Sequence, residues 1–123
     1  MEIARAGVAA YNRGDLDALL ARYDPEVEFV TLLLGNYRGK EAIGRLMAEN
    51  QDNLSGYRYE IEELIDAGDT VIGVVHLRGA GRVSQIELGD LIAISLTFRN
   101  GLVIRQQTFR NKAEALEAAG LPE

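Results

Sequence analysis

The sequence predicts an α+β fold, and three observations carry that reading. Apolar residues recur at helical spacing from the N-terminus to about residue 47. After Gly56 the chain turns to β-branched and aromatic residues in alternating runs. Glycine-bearing turn signals, "AGD" at 67–69 and "RNG" at 99–101, then cut that second half into hairpins. Helices first and a strand meander after them give a curved antiparallel sheet with helices gathered on one face.

Each element has its own signal. Residues 2–12 place Ile3, Ala6, Val8, Ala10 and Tyr11 mostly at helical spacing, and "NRGD" ends the pattern. Asp15 is the expected N-cap of a second helix carrying Leu16, Leu19, Leu20 and Tyr23 on one face. "DP" at 24–25 stops it, because the residue before proline disfavours helical backbone. "VEFVTLLL" at 27–34 reads as a strand running into a loop, and "GNYRG" as a turn. "KEAIGRLMAENQDNL" is a third helix with Ile43, Leu46 and Met47 on one face. "YRYEIEELI", "TVIGVVHLRGAGR", "IELGDLIAISLTF" and "LVIRQQTF" are four strands, and "NKAEALEAAGL" is a short helix with Gly120 as its stop. No repeat, linker or low-complexity segment divides residues 1–123, so one domain is expected.

Composition narrows the function. The net charge is −6, and the cations are scattered, whereas phosphate binding needs a basic face; nucleic acid is not an expected partner. With no cysteine there is no disulfide, thiolate zinc site or cysteine nucleophile. A single histidine, without a carboxylate cluster around it, argues against a metal. The N-terminus has no apolar leader, and no apolar run approaches the ~20 residues of a membrane helix, so a soluble cytoplasmic protein is expected.

Two segments carry a family resemblance. "AAYNRGDLDALLARYDPEVEF" followed by "YRGKEAI" resembles the opening of the SnoaL-like branch of the nuclear transport factor two-like superfamily. "FRNGLVIRQQTFRNKAEALEAAGL" resembles its ending, with Asn111 where many members carry an Asp. The likeness runs from about Ile3 to Leu121. It implies a cone-shaped fold, a curved antiparallel sheet with three N-terminal helices and a short C-terminal helix around an apolar pocket. It also implies a homodimer formed through the outer sheet face. It does not imply one activity, since members include isomerases, epoxide hydrolases, cyclases, dehydratases and non-catalytic binders.

Strand parity sorts the residues that can line such a pocket. On the last strand Ile104, Gln106, Thr108 and Arg110 share one face, and Val103, Arg105, Gln107 and Phe109 the other. The resemblance to the epoxide-hydrolase branch places the first set inward and puts that branch's catalytic Asp at Thr108. It puts the accompanying Arg and Asp at Val75 and Leu77. Neutral and apolar side chains cannot act as general base or acid there. The ketosteroid-isomerase branch implies a carboxylate at Thr31 and a tyrosine at Gly7, and both are missing.

The acid–base candidates left are Asp90, which shares parity with Ile92, Ile94, Leu96 and Phe98, and Tyr11 on the first helix. A strand-end aspartate in water and a tyrosine packed with its hydroxyl at the rim are the simpler readings of the two. His76 falls on the outer face with Ile72 and Val74, the apolar residues expected at a dimer contact. Glu60, Glu62 and Glu63 read as a solvated face of unfixed register, and "RGAGR" at 78–82 lacks the strand-to-helix context of a phosphate loop.

Gln106 and Thr108 would then orient a ligand carbonyl or hydroxyl, or hold buried water, among Val75, Leu77, Ile94, Thr31 and Leu33. Tyr37 stands on the loop that caps the pocket mouth in relatives. The expected function is a pocket protein for a small, mostly apolar molecule, with no cofactor. The alternatives are an isomerase-, cyclase- or hydrolase-type enzyme using Asp90 or Tyr11, and a structural dimer with an incidental cavity.

Overall fold

A computed structural model describes residues 2–31, 35–49, 57–79 and 91–121. Helix α1 spans Glu2–Asn12 and α2 spans Leu16–Leu20. The Asp15 side chain caps α2 by accepting from the Ala18 amide at 3.1 Å. The helix ends sooner than the sequence suggests, and Tyr23 opens strand β1, Tyr23–Val30. Leu19 and Tyr23 share one apolar cluster, so their spacing reports common burial and not a common helix. Asp24 and Pro25 therefore lie inside a strand. Pro25 has no N–H to give a ladder, and it sits where the pairing of β1 slips, between Tyr23 and Glu28.

The segment read as a turn holds a short strand, β2 (Asn36–Arg38), paired antiparallel with β1. Helix α3 covers Lys40–Glu49. Four longer strands follow: β3 (Tyr57–Ala67), β4 (Thr70–Gly79), β5 (Leu91–Arg99) and β6 (Leu102–Phe109). Both expected hairpin turns form. Asn100 and Gly101 take φ of 54° and 80°, the left-handed pair that a two-residue hairpin turn requires. In the other turn Gly68 has φ 79°, and its N–H is accepted by Asp66 Oδ1 at 3.0 Å.

The sheet has six strands in the order β2-β1-β6-β5-β4-β3. It is mixed and not wholly antiparallel, because β6 returns beside β1 in parallel. A parallel pair needs a long crossover, and the intervening α3 and meander supply it.

The helices also divide between the two faces. Leu19, Ile43 and Leu46 of α2 and α3 pack with Ala10 of α1 onto Tyr23, Val27, Phe29 and Val103, which defines an inner face; Val103 joins it against the expected parity because the β5–β6 register shifts between Thr97 and Phe98. The C-terminal helix α4, Lys112–Ala118, covers the other face, where Ala115 and Leu116 meet Ile72, Ala93 and Phe109. Ile72 and Val74 do point outward, but they are 0% and 1% exposed within the single chain. They therefore offer no free apolar patch to a second copy. Burying each such side chain contributes about 1.5–3 kcal/mol to the fold itself.

Helix α4 is closed at both ends. Asn111 Oδ1 accepts from the Glu114 amide at 2.9 Å, the capping role an Asp would fill at that position. At the other end Gly120 has φ 74°, and the amides of Gly120 and Leu121 bond back to the carbonyls of Glu117 and Leu116.

Candidate functional site

Strand register places the inner-face residues in rows. One row runs Tyr37, Phe29, Gln106, Leu96 and Val71 across β2, β1, β6, β5 and β4. The next runs Thr108, Ile94, Gly73 and Leu64 across β6, β5, β4 and β3. Beyond it Ile92 stands beside Val75, and Val75 beside Ile61. At the flanks Phe29, Val71, Val75 and Ile92 are buried, whereas Leu64, Ile94, Leu96, Gln106 and Thr108 keep partial exposure. The middle of the face is thus apolar, polar at two points, and incompletely covered. Over Gly73 the Leu64 side chain packs closely: a Cβ there would stand 3.4 Å from Leu64 Cδ2.

Gln106 is held from below. The Tyr23 hydroxyl donates to Gln106 Oε1 at 2.8 Å, joining the start of β1 to the middle of β6. Tyr23 is 4% exposed, and burial raises its phenol above the ordinary tyrosine value of 10.0, so it stays a neutral donor. Its ring meets Phe29 edge-on at a centroid distance of 6.4 Å. Sequence reasoning missed Tyr23 because it counted the residue into a helix. The usable signal was Pro25 two residues on, which fits strand irregularity as well as helix termination.

The other expected site residues distribute as follows. Gln106, Thr108, Ile94 and Val75 all fall on the inner face, in neighbouring rows. Tyr37 lies in the Gln106 row at the β2 edge, its ring and hydroxyl 3.9 Å from where a Cβ of Gly35 would stand. The Thr31 hydroxyl donates to the Gly35 carbonyl, across the same loop. Leu77 pairs with Tyr59 in the backbone ladder. Leu33 and Asp90 lie outside the described residues. Tyr11 packs half-buried against the inner cluster.

The two central rows hold no carboxylate and no histidine, and the described carboxylates lie elsewhere. On the outer face Glu28 bridges Arg38 at 2.6 Å and Arg105 at 2.7 Å, and Arg105 continues to Gln107 at 3.1 Å. Glu62 is the extra residue of a bulge between Ile61 and Glu63, and its carboxylate reaches His76 Nε2 at 3.2 Å. Glu63 pairs with Lys112 of α4 at 2.9 Å. Among the described residues, no three His, Cys, Asp or Glu side chains gather as a metal site. No described helix is long and apolar enough to cross a membrane.

The SnoaL-like domain family matches this chain over residues 4–106. No curated protein matches it. Among solved structures, an NTF2-like protein of unknown function from Burkholderia pseudomallei is similar at TM-score 0.78 and 19% identity, covering 95% of this chain and 94% of that one. TerC, co-crystallised with polyporic acid, is similar at TM-score 0.72 and 24% identity, covering 96% and 95%. A protein of ketosteroid isomerase-like fold from Catenulispora acidiphila, in complex with trimethylamine, is similar at TM-score 0.74 and 21% identity, covering 98% and 94%. Likeness at these identities establishes the fold.

Proposed function

We propose that this chain, which belongs to the SnoaL-like domain family, is a binding protein that holds a small, mostly apolar molecule against the inner face of its sheet. The observation that carries this reading is the partial exposure of Leu64, Ile94 and Leu96 at the centre of a face whose flanks are buried. Apolar side chains left uncovered in a recess favour an apolar occupant, because filling it removes their surface from water. Gln106 and Thr108 supply the few polar groups that orient a ligand in such a site. Two of the structural neighbours carry small organic molecules, polyporic acid in one and trimethylamine in the other, which is in keeping with this role.

Binding is favoured over acid–base catalysis by the chemistry of the lining. Proton transfer near neutral pH needs a group whose pKa lies near the working pH, and a threonine, a glutamine and aliphatic side chains offer none. The test is mass spectrometry of whatever co-purifies with the protein, paired with a thermal-shift screen of small lipophilic compounds. An apolar compound bound one to one, raising the melting temperature by mass action, is the expected result. A protein that carries nothing and is stabilised by no member of the screen contradicts the proposal.

A further inference from the structure

We infer that Gln106, its oxygen engaged and oriented by Tyr23, presents the recess with its Nε2 hydrogen-bond donor, so that the molecule bound there is selected for a neutral, carbonyl-type oxygen. This rests on the pocket reading above and sharpens it to a substrate class.

A glutamine amide ordinarily reads both kinds of partner, since its oxygen accepts and its nitrogen donates. Here one end is taken. The Tyr23 hydroxyl donates to Oε1 at 2.8 Å, and it does so from inside the apolar cluster of Leu19, Val27 and Phe29. Turning the amide over would make Nε2 the donor to the phenol oxygen. The phenolic hydrogen would then be buried without an acceptor, the arrangement native interiors avoid. Tyr23 therefore fixes the amide in one orientation.

The free end of the amide is Nε2. Gln106 is half-buried, and among the described residues no hydrogen bond joins Nε2 to another group. The buried side-chain nitrogens and oxygens left without a partner, among the described residues, are Arg22 Nε and His76 Nδ1. Gln106 Nε2 is not one of them, and the residue as a whole is partly exposed. Its surroundings on the inner face are Leu96 and Phe29 in its own row and Ile94 in the next. Thr108, two residues on and on the same face, carries a hydroxyl that both donates and accepts, so it does not discriminate. A ligand offering only an N–H or O–H donor meets at Gln106 an oxygen already engaged by Tyr23. A ketone, quinone or ester oxygen meets a positioned donor with no charge to neutralise.

Three bicyclic probes of nearly equal shape separate the possibilities: indane, with no polar atom; 1-indanone, with an acceptor; and indole, with a donor. Their affinities are measured by NMR titration on the wild-type protein, Gln106→Met and Tyr23→Phe. The wild type is expected to bind 1-indanone about tenfold tighter than indane, the worth of one hydrogen bond, and indole no tighter than indane. Gln106→Met is expected to bind all three alike. Tyr23→Phe frees the amide to turn, and indole is expected to gain on 1-indanone. Wild-type protein that binds the three equally, or prefers indole, overturns the inference while leaving the pocket standing. Binding of none of them overturns the pocket reading and the inference together. A second readout does not depend on either variant folding. In wild-type protein the Gln106 side-chain NH2 should give two sharp, well-separated proton signals that move on 1-indanone addition; signals that do not respond while indanone binds count against it.

Discussion

The Tyr23–Gln106 bond can be weighed by a double-mutant cycle, because the two sides of it are not equivalent. Tyr23→Phe removes the hydroxyl and leaves Gln106 on a partly open face, where water can replace the lost donor. Its cost should be about 1 kcal/mol, that of one neutral hydrogen bond. Gln106→Met does the reverse: it leaves a hydroxyl on a residue that is 4% exposed with no acceptor. That should cost about 1–3 kcal/mol, the larger range for an orphaned buried donor. In the double variant no orphan remains, so its cost should stay close to that of Tyr23→Phe alone, a coupling of about 1–3 kcal/mol. Urea unfolding reads these differences, and each kcal/mol corresponds to roughly 3–5 °C in melting temperature for a domain of this size. If the single-variant costs simply add in the double variant, the two side chains do not share a bond and the account of the site is wrong.

Three further outcomes follow from the same structure. Stability should fall as pH rises above about 10, because the unfolded chain releases the Tyr23 proton there while burial keeps it on in the folded chain; the fall should be shallower in Tyr23→Phe, as measured by unfolding across pH 9–11. Gly7→Ala should stabilise by up to about 1 kcal/mol, since the new methyl meets only ordinary contacts at 3.9 and 4.0 Å, whereas Gly44→Ala presses Leu20 Cδ1 at 3.2 Å and should gain less or lose; paired urea titrations decide it. Asn111→Ala should cost about 1 kcal/mol through loss of the α4 cap, while Asn111→Asp should keep the wild-type melting temperature or raise it, because a carboxylate caps as well and suits a helix N-terminus.

Much of the fold was legible because its signals are local. Asn100-Gly101 specified a hairpin turn by backbone sterics alone, Gly120 specified a helix stop, and period-two parity put Val75, Ile94, Gln106 and Thr108 on one face. What sequence could not settle is decided by distant partners. Leu16, Leu19, Leu20 and Tyr23 fit helical spacing, but the chain leaves the helix at Leu20 and buries Tyr23 from a strand. The parallel pairing of β1 with β6 joins segments far apart in sequence, and no local pattern announces it. The apolar runs around Ile72 and Phe109 marked a face to be covered, yet which helix covers it depends on the turn after β6. The bulge at Glu62 shifts register by one residue within an imperfectly alternating run. The site was legible as a set of inward residues; Tyr23, which orients the central one, was not.

The most direct measurement of the central claim is methyl NMR during titration with 1-indanone. The account predicts that the methyl signals of Ile94, Leu64 and Leu96, on the partly open inner face, shift together and saturate, while those of Ile72 and Leu116, packed between the outer face and α4, stay in place. Shifts confined to Ile72 and Leu116, or none at saturating probe, would contradict it.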